Sequence, residues 1–325
     1  MNINRGLLFW GLALITAGVV ALGVQQGFLD RDALAGAWRL WPVILIAIGL
    51  SIVLARTPFA LIGILVGALV LGVVGGAVIS VGPAFGECGG DAPDPGDLRQ
   101  ESGEFGADAA SVTLEFDCGE LEVAMADGAG WQTRTGASGD DQPQVNAGNA
   151  TLEVRSPEGE LDFFDGGRQR WEIELGSDVT YDLSVDVNAG DADLDLATGR
   201  FSALDVNPNA GALRIDLTGA AVEELAVQVN AGATDITASA DSRIAGRLGI
   251  NAGAVELCVP ADVPMRFDVE GVAFGHNLDD DGHGLQEQGE DTWVTPGFTE
   301  ADAVIDLRIE GNAGSFNLNP EGGCE

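Results

Sequence analysis

Apolar and polar residues alternate through the middle of the chain, and one triplet punctuates the alternation. Asn-Ala-Gly recurs at Asn188, Asn209, Asn230 and Asn251, a step of 21 residues each time. Four and six residues after each Asn stand Ala192 and Leu194, Leu213 and Ile215, Thr234 and Ile236, Val255 and Leu257. Polar residues lie between, so each triplet leads into a strand with one buried and one wet face. The residues before it alternate too, as Val185 and Val187, Val227 and Val229, Leu248 and Ile250. Each unit is therefore strand, bend, strand and a second turn, with Asn and Gly supplying the unusual backbone at the bend. A fixed period of this length predicts a repeat architecture. Further copies stand at Asn146, 42 residues before Asn188, and at Asn312, 61 residues after Asn251. Asp117-Cys118-Gly119 has the form of a degenerate seventh copy. The expected fold is an all-β domain, a right-handed β-solenoid or a closely related layered sheet, over residues 111–325. Within it Met265–Val269 and Ala303–Ile309 are expected as strands of a capping coil or irregular hairpin.

Residues 1–83 have a different pattern. Three apolar runs, 7–24, 40–55 and 59–81, are each long enough, or nearly so, to cross a bilayer as a helix. Trp38 and Trp41 flank the second entry as interfacial aromatics do. The expectation is an α-helical membrane anchor of three spans, with the large domain outside the cytoplasmic membrane. Residues 84–110, rich in Gly, Pro and Asp, have linker composition.

Charge narrows the partners. Residues 84–325 carry 11 Arg, no Lys and 49 Asp and Glu, a net charge of −38. Such a surface repels nucleic acid and anionic headgroups. All four cysteines, Cys88, Cys118, Cys258 and Cys324, lie beyond the apolar runs, which suggests disulfides in an oxidising compartment. Cys258 takes a position that is polar in the other copies, so its side chain is expected on the wet face, pinning a covering segment. The pairing taken is Cys258–Cys324 with Cys88–Cys118, one of three possible connectivities.

No catalytic constellation emerges, and the Gly residues lead into strands rather than the helix a phosphate cradle needs. Asn277, Asp279 and Asp281, with Gly282, match the first half of a calcium loop, but Gln288 stands where the bidentate Glu is required. A solvated acidic loop is the expectation there, with no metal and no cofactor. For Asn146, Asn188, Asn209, Asn230, Asn251 and Asn312 the structural reading prevails: amides stacked from coil to coil, fixing the register.

Two stretches then point to a family. Leu8-Phe9-Trp10-Gly11, followed by Leu40-Trp41-Pro42-Val43 and Ile48-Gly49-Leu50, resembles the LiaI/LiaF-like transmembrane region of bacterial membrane proteins. Trp293–Phe298, Ala301–Ile309 and Gly311–Phe316 resemble the toastrack-type β-helix, the LiaF-like carboxy-terminal domain. The resemblance implies a non-enzymatic envelope protein that senses or regulates cell-wall stress through contact with a membrane histidine kinase or a homologous subunit. An adhesin or structural surface module is the alternative.

Overall fold

The computed structural model describes Ile15, Thr16 and residues 92–138, 142–157, 168–260, 263–278, 284–289, 291–299 and 304–320. Apart from Ile15 and Thr16, which are helical, the three expected membrane spans lie outside the described residues, among which no helix is long and apolar enough to cross a membrane. The chain divides into two units, Met1–Phe85 and Gly86–Glu325. Among the described residues the second is all β, apart from one 3-10 turn at Pro95–Asp97.

Its amino-terminal strands are β1 (Arg99–Glu104), β2 (Ala109–Ala126), β3 (Gly130–Ala137), β4 (Gln144–Ala147), β5 (Thr151–Arg155) and β6 (Gln169–Gly176). The regular repeats follow as β7 (Thr180–Asp195), β8 (Arg200–Pro208), β9 (Ala212–Asp216), β10 (Ala221–Thr237) and β11 (Arg243–Cys258). The carboxy-terminal strands are β12 (Met265–Gly271), β13 (Phe274–Asn277), β14 (Gln286–Glu287), β15 (Thr292–Val294), β16 (Ile305–Gly311) and β17 (Gly314–Leu318).

The repeats stack in parallel, one rung on the next. Ala192 lies beside Leu213, Leu213 beside Thr234 and Thr234 beside Val255. Buried residues stand just before the triplet, as Val185 and Val187, and resume at Ala192 and Leu194. The interval from Val187 to Ala192 is odd, so the corner exchanges the inward and outward faces of the strand. Gly190 and Gly211 permit this with φ of 105° and 114°. They also permit a close approach, because a Cβ on Gly211 would fall 1.8 Å from the carbonyl oxygen of Gly190. Backbone hydrogen bonds continue through the corner, as from Asn209 N to Val187 O at 2.8 Å. The second turns stack in the same way, with Leu217 N donating to Thr237 O at 2.8 Å.

At both ends the stack departs from chain order. β2 lies against β7 along its length, from Ala109↔Thr180 to Ala124↔Asp195. The intervening segment doubles back, so that β5 and β6 pair with the other edge of β2. β3 and β1 then extend that end antiparallel. At the other end β16 and β17 pair with β11, while the earlier β12 and β13 form the outer row. β15 and β14 add antiparallel strands beyond β12. Met265–Val269 and Ala303–Ile309, expected as strands of a capping coil or irregular hairpin, fall in β12 and β16, which pair in parallel as rows of the stack, and the antiparallel partner of β12 is β15.

Two expectations are corrected. Asn146 is not the bend of a coil in the stack: it lies in β4, antiparallel to β5 and opposite Glu153. Its spacing of two repeat steps coincides with the stack's period only in sequence, and the rung below Asn188 belongs to Asp117. The linker also ends earlier than expected, because β1 begins at Arg99 and pairs with β3. No residue of β1 is buried, so it carries no apolar alternation to betray it.

The interior is one continuous cluster of aliphatic side chains with aromatics toward the ends. Phe116 meets Trp171 edge-on with centroids 5.0 Å apart, and Phe267 packs against Phe316 at 5.8 Å. Tyr181 is fully buried, and its hydroxyl donates to Gly176 O at 2.8 Å. Burial pushes the phenol up to about 12.

Candidate functional site

The corner triplets place their Asn side chains in one row. Asn312 Nδ2 donates to Asn251 Oδ1 at 2.8 Å, Asn251 to Asn230 at 2.7 Å, and Asn230 to Asn209 at 2.6 Å. Asn209 donates to Asn188 at 2.8 Å, and Asn188 to Asp117 Oδ1 at 2.9 Å. Rungs about 4.8 Å apart make this a ladder on the order of 24 Å long. A carboxylate can only accept. Asp117 therefore fixes the sense of the whole ladder, since Asn188 must present its N–H and each amide above must follow.

The ladder stops at defined places. Below Asp117 the position is closed by Ser156, whose Oγ accepts from Asp117 N at 2.8 Å and donates to Gln169 Oε1 at 3.0 Å. Above Asn312 the outer row places Val272, between the pairs Gly271↔Gly311 and Phe274↔Gly314. Valine offers no donor to Asn312 Oδ1, and its own side chain is 78% exposed.

Beyond the corner, the outward residues of β6, β2, β7 and β9 line a groove of about 600 Å³. Glu120 stands across from Arg170 and Asp191, and Glu122 from Glu172 and Asp193. Asp193 in turn faces Arg214. Glu120 is tied down by Arg168 Nη2 at 2.9 Å and by Arg170 Nε at 3.1 Å. The hydrogen bond from Arg170 is the main reason its carboxyl is held below the usual range, against the opposing effect of partial burial. Arg134 pairs with Glu172. Among the described residues no cation pairs with Glu122, Asp191 or Asp193, and like charges on adjacent rungs are mutually unfavourable. The groove thus has an arginine-neutralised wall and a wall of unpaired carboxylates.

Other expected residues fall elsewhere. Asn277 is an exposed residue of β13 opposite Asn317, whereas Asp279 and Asp281 lie outside the described residues. Among the described residues no group of acidic, His or Cys side chains could hold a metal ion. Cys118 and Cys258 are both disulfide-bonded. Cys88 and Cys324 lie outside the described residues, and the pairing with them. Alternation puts Cys258 on the wet face, but its surface is only 9% exposed. Next to it Val259 N donates to Asn319 Oδ1 at 2.8 Å, so the carboxy-terminal strand end covers this corner. The arginines at 134, 168 and 170 were not singled out in the sequence, because they stand outside the repeats. The available signal was their density: four of the 11 Arg of residues 84–325 fall between Arg134 and Arg170.

Residues 8–53 match the LiaI-LiaF-like transmembrane region, and residues 95–239 match the N-terminal domain of toast_rack, DUF2154. A segment similar to the LiaI-LiaF-like transmembrane region thus precedes a segment similar to the toast-rack domain. The toast-rack match begins beside β1 and ends just past β10, so it takes in the groove and four of the ladder's six residues. Among solved structures, a candidate cell adhesion protein from Clostridium sporogenes is similar at 15% identity and a TM-score of 0.44. It covers 68% of this chain and 99% of its own. A candidate adhesin from Bacteroides fragilis is 10% identical with a TM-score of 0.23, covering 70% and 100% respectively. No curated protein matches the chain. The match to the LiaI-LiaF-like transmembrane region indicates membrane anchoring.

Proposed function

We propose that the chain is a non-enzymatic envelope protein that senses or regulates cell-envelope stress through protein contacts. In this reading three helices, over 7–24, 40–55 and 59–81, anchor a right-handed toast-rack stack outside the cytoplasmic membrane. The membrane region contacts a histidine kinase or a homologous subunit, and the stack presents its groove to the exterior. The observation that carries the reading is the match of residues 8–53 to the LiaI-LiaF-like transmembrane region and of residues 95–239 to the toast-rack domain, whose strands line a charged groove. Confinement of all four cysteines to the part beyond residue 83 supports the outside placement, with Cys88–Cys118 and Cys258–Cys324 as the disulfides.

Cross-linking the full-length protein in its native membrane, followed by affinity capture, tests this. A sensor kinase recovered with the wild type, and lost when residues 1–83 are exchanged for an unrelated anchor, is the expected result. Recovery of cell-wall material without any kinase would instead make it an adhesin.

A further inference from the structure

The loop between β4 and β5 holds a feature that the stack does not use. Asn149-Ala150-Thr151 is the one Asn-x-Ser/Thr sequence with a non-proline centre in the whole chain. Both Asn149 and Thr151 are exposed. The loop backbone is pinned: Asn149 O accepts from Gly106 N at 2.8 Å, Ala150 O from Ser111 N at 2.9 Å, and Thr151 O from Gly148 N at 2.8 Å. With the Asn149 and Ala150 carbonyls bonded to Gly106 and Ser111, the Asn149 amide lies over Gly106, where a Cβ would come within 2.2 Å of its Oδ1. Asn149 Nδ2 donates no hydrogen bond to a described residue. The contrast with the ladder is sharp, since Asn188, Asn209, Asn230 and Asn251 each spend both amide atoms on neighbours.

We infer that Asn149 is an acceptor for N-linked glycosylation, displayed on an edge hairpin at the amino-terminal end of the stack. Nδ2 attacks the anomeric carbon of a lipid-phosphate-activated oligosaccharide. The N–C bond forms, the C–O bond to the lipid phosphate breaks, and the amide proton leaves to a base of the transferase. The hydroxyl of Thr151 marks the site for that enzyme. Gly106 leaves room for the linkage, and the pinned backbone holds the acceptor without unfolding a strand. The inference rests on the outside placement of the domain, because the donor is used on that side of the membrane.

The test uses full-length protein from the membranes of its native host. Cleavage at arginine releases the peptide Thr135–Arg155, which contains Asn149 and Asn146. Mass spectrometry is expected to find a saccharide mass on this peptide, localised to Asn149. Asn149→Gln and Thr151→Ala should abolish it, while Thr151→Ser and Asn146→Gln should retain it. With no lysine in the chain, the mass cannot come from lysine glycation. Protease added to intact cells, in parallel, reports the side on which the domain lies. Digestion from outside with an unmodified peptide overturns the inference and leaves the placement standing. Protection from the protease with an unmodified peptide overturns both.

Discussion

Asn230 spends its side chain twice, donating to Asn209 and accepting from Asn251. Each such bond is worth about 0.5–1.5 kcal/mol net. Asn230→Ala should therefore cost about 1–3 kcal/mol in denaturant unfolding of the β domain. Asn230→Asp tests polarity as well. Its carboxylate can accept from Asn251 but cannot donate to Asn209, so it should be as damaging at neutral pH and partly recover in acid. Asp117→Asn keeps the acceptor and should cost less than either. Thr234 shows the opposite case. It stands where the other repeats bury Leu213 and Val255, and its Oγ1 is buried with no partner. Thr234→Val removes an unsatisfied hydroxyl at constant shape and should stabilise by about 1 kcal/mol, read as a higher denaturant midpoint with unchanged slope. The phenol of Tyr181 offers a direct probe, because it is the chain's sole tyrosine. Its folded value of about 12 lies above the ordinary 10, so its contribution is complete below pH 10 and is lost as pH rises toward 12. Tyrosinate absorbance should therefore appear together with unfolding, not before it.

At the scale of one rung, the corner decides what substitutions are tolerated. Gly211→Ala would place a Cβ against the Gly190 carbonyl at a φ of 114°, and should cost about 3 kcal/mol or more. The rungs were legible in the sequence because their alternation and their 21-residue step agree: the inward residues of β7 to β11 are those the pattern picks out. β1 was not legible, for the same reason that the rungs were: an edge strand with no buried residue needs no apolar face. The ladder's lower end was legible only as a resemblance of Asp117-Cys118-Gly119 to the triplet. Asn146 matches the triplet in letters, yet the hairpin to β5 claims it, because antiparallel pairing with a neighbour closes a far shorter loop. The groove was less legible still, since its Arg134, Arg168 and Arg170 reach Glu120 and Glu172 only through the doubling back of β3 and β6. Glu120 also carries a pH signature. Its folded value is depressed, so the ion pair's contribution is present above the unfolded carboxyl value of about 4.5 and fades as pH falls through the folded one. Arg170→Ala should flatten stability against pH in that acid window.

Across the whole domain the excess of acids sets a common background. With 49 Asp and Glu against 11 Arg in residues 84–325, self-repulsion works against the folded stack, and unpaired carboxylates on neighbouring rungs concentrate it. The stack tolerates this because each rung is held along its full backbone by the next, as in other solenoids. Both ends are closed by returning chain rather than by the next repeat in sequence, which blunts the sheet edges. This exchange of order puts Asp117 directly beneath Asn188, although 71 residues separate them. A double-mutant cycle measures it. Asp117→Ala and Asn188→Ala, singly and together, should show a coupling of about 1 kcal/mol in denaturant unfolding, while Asn146→Ala with Asn188→Ala should be additive. Additivity for the first pair and coupling for the second would place Asn146, not Asp117, beneath Asn188.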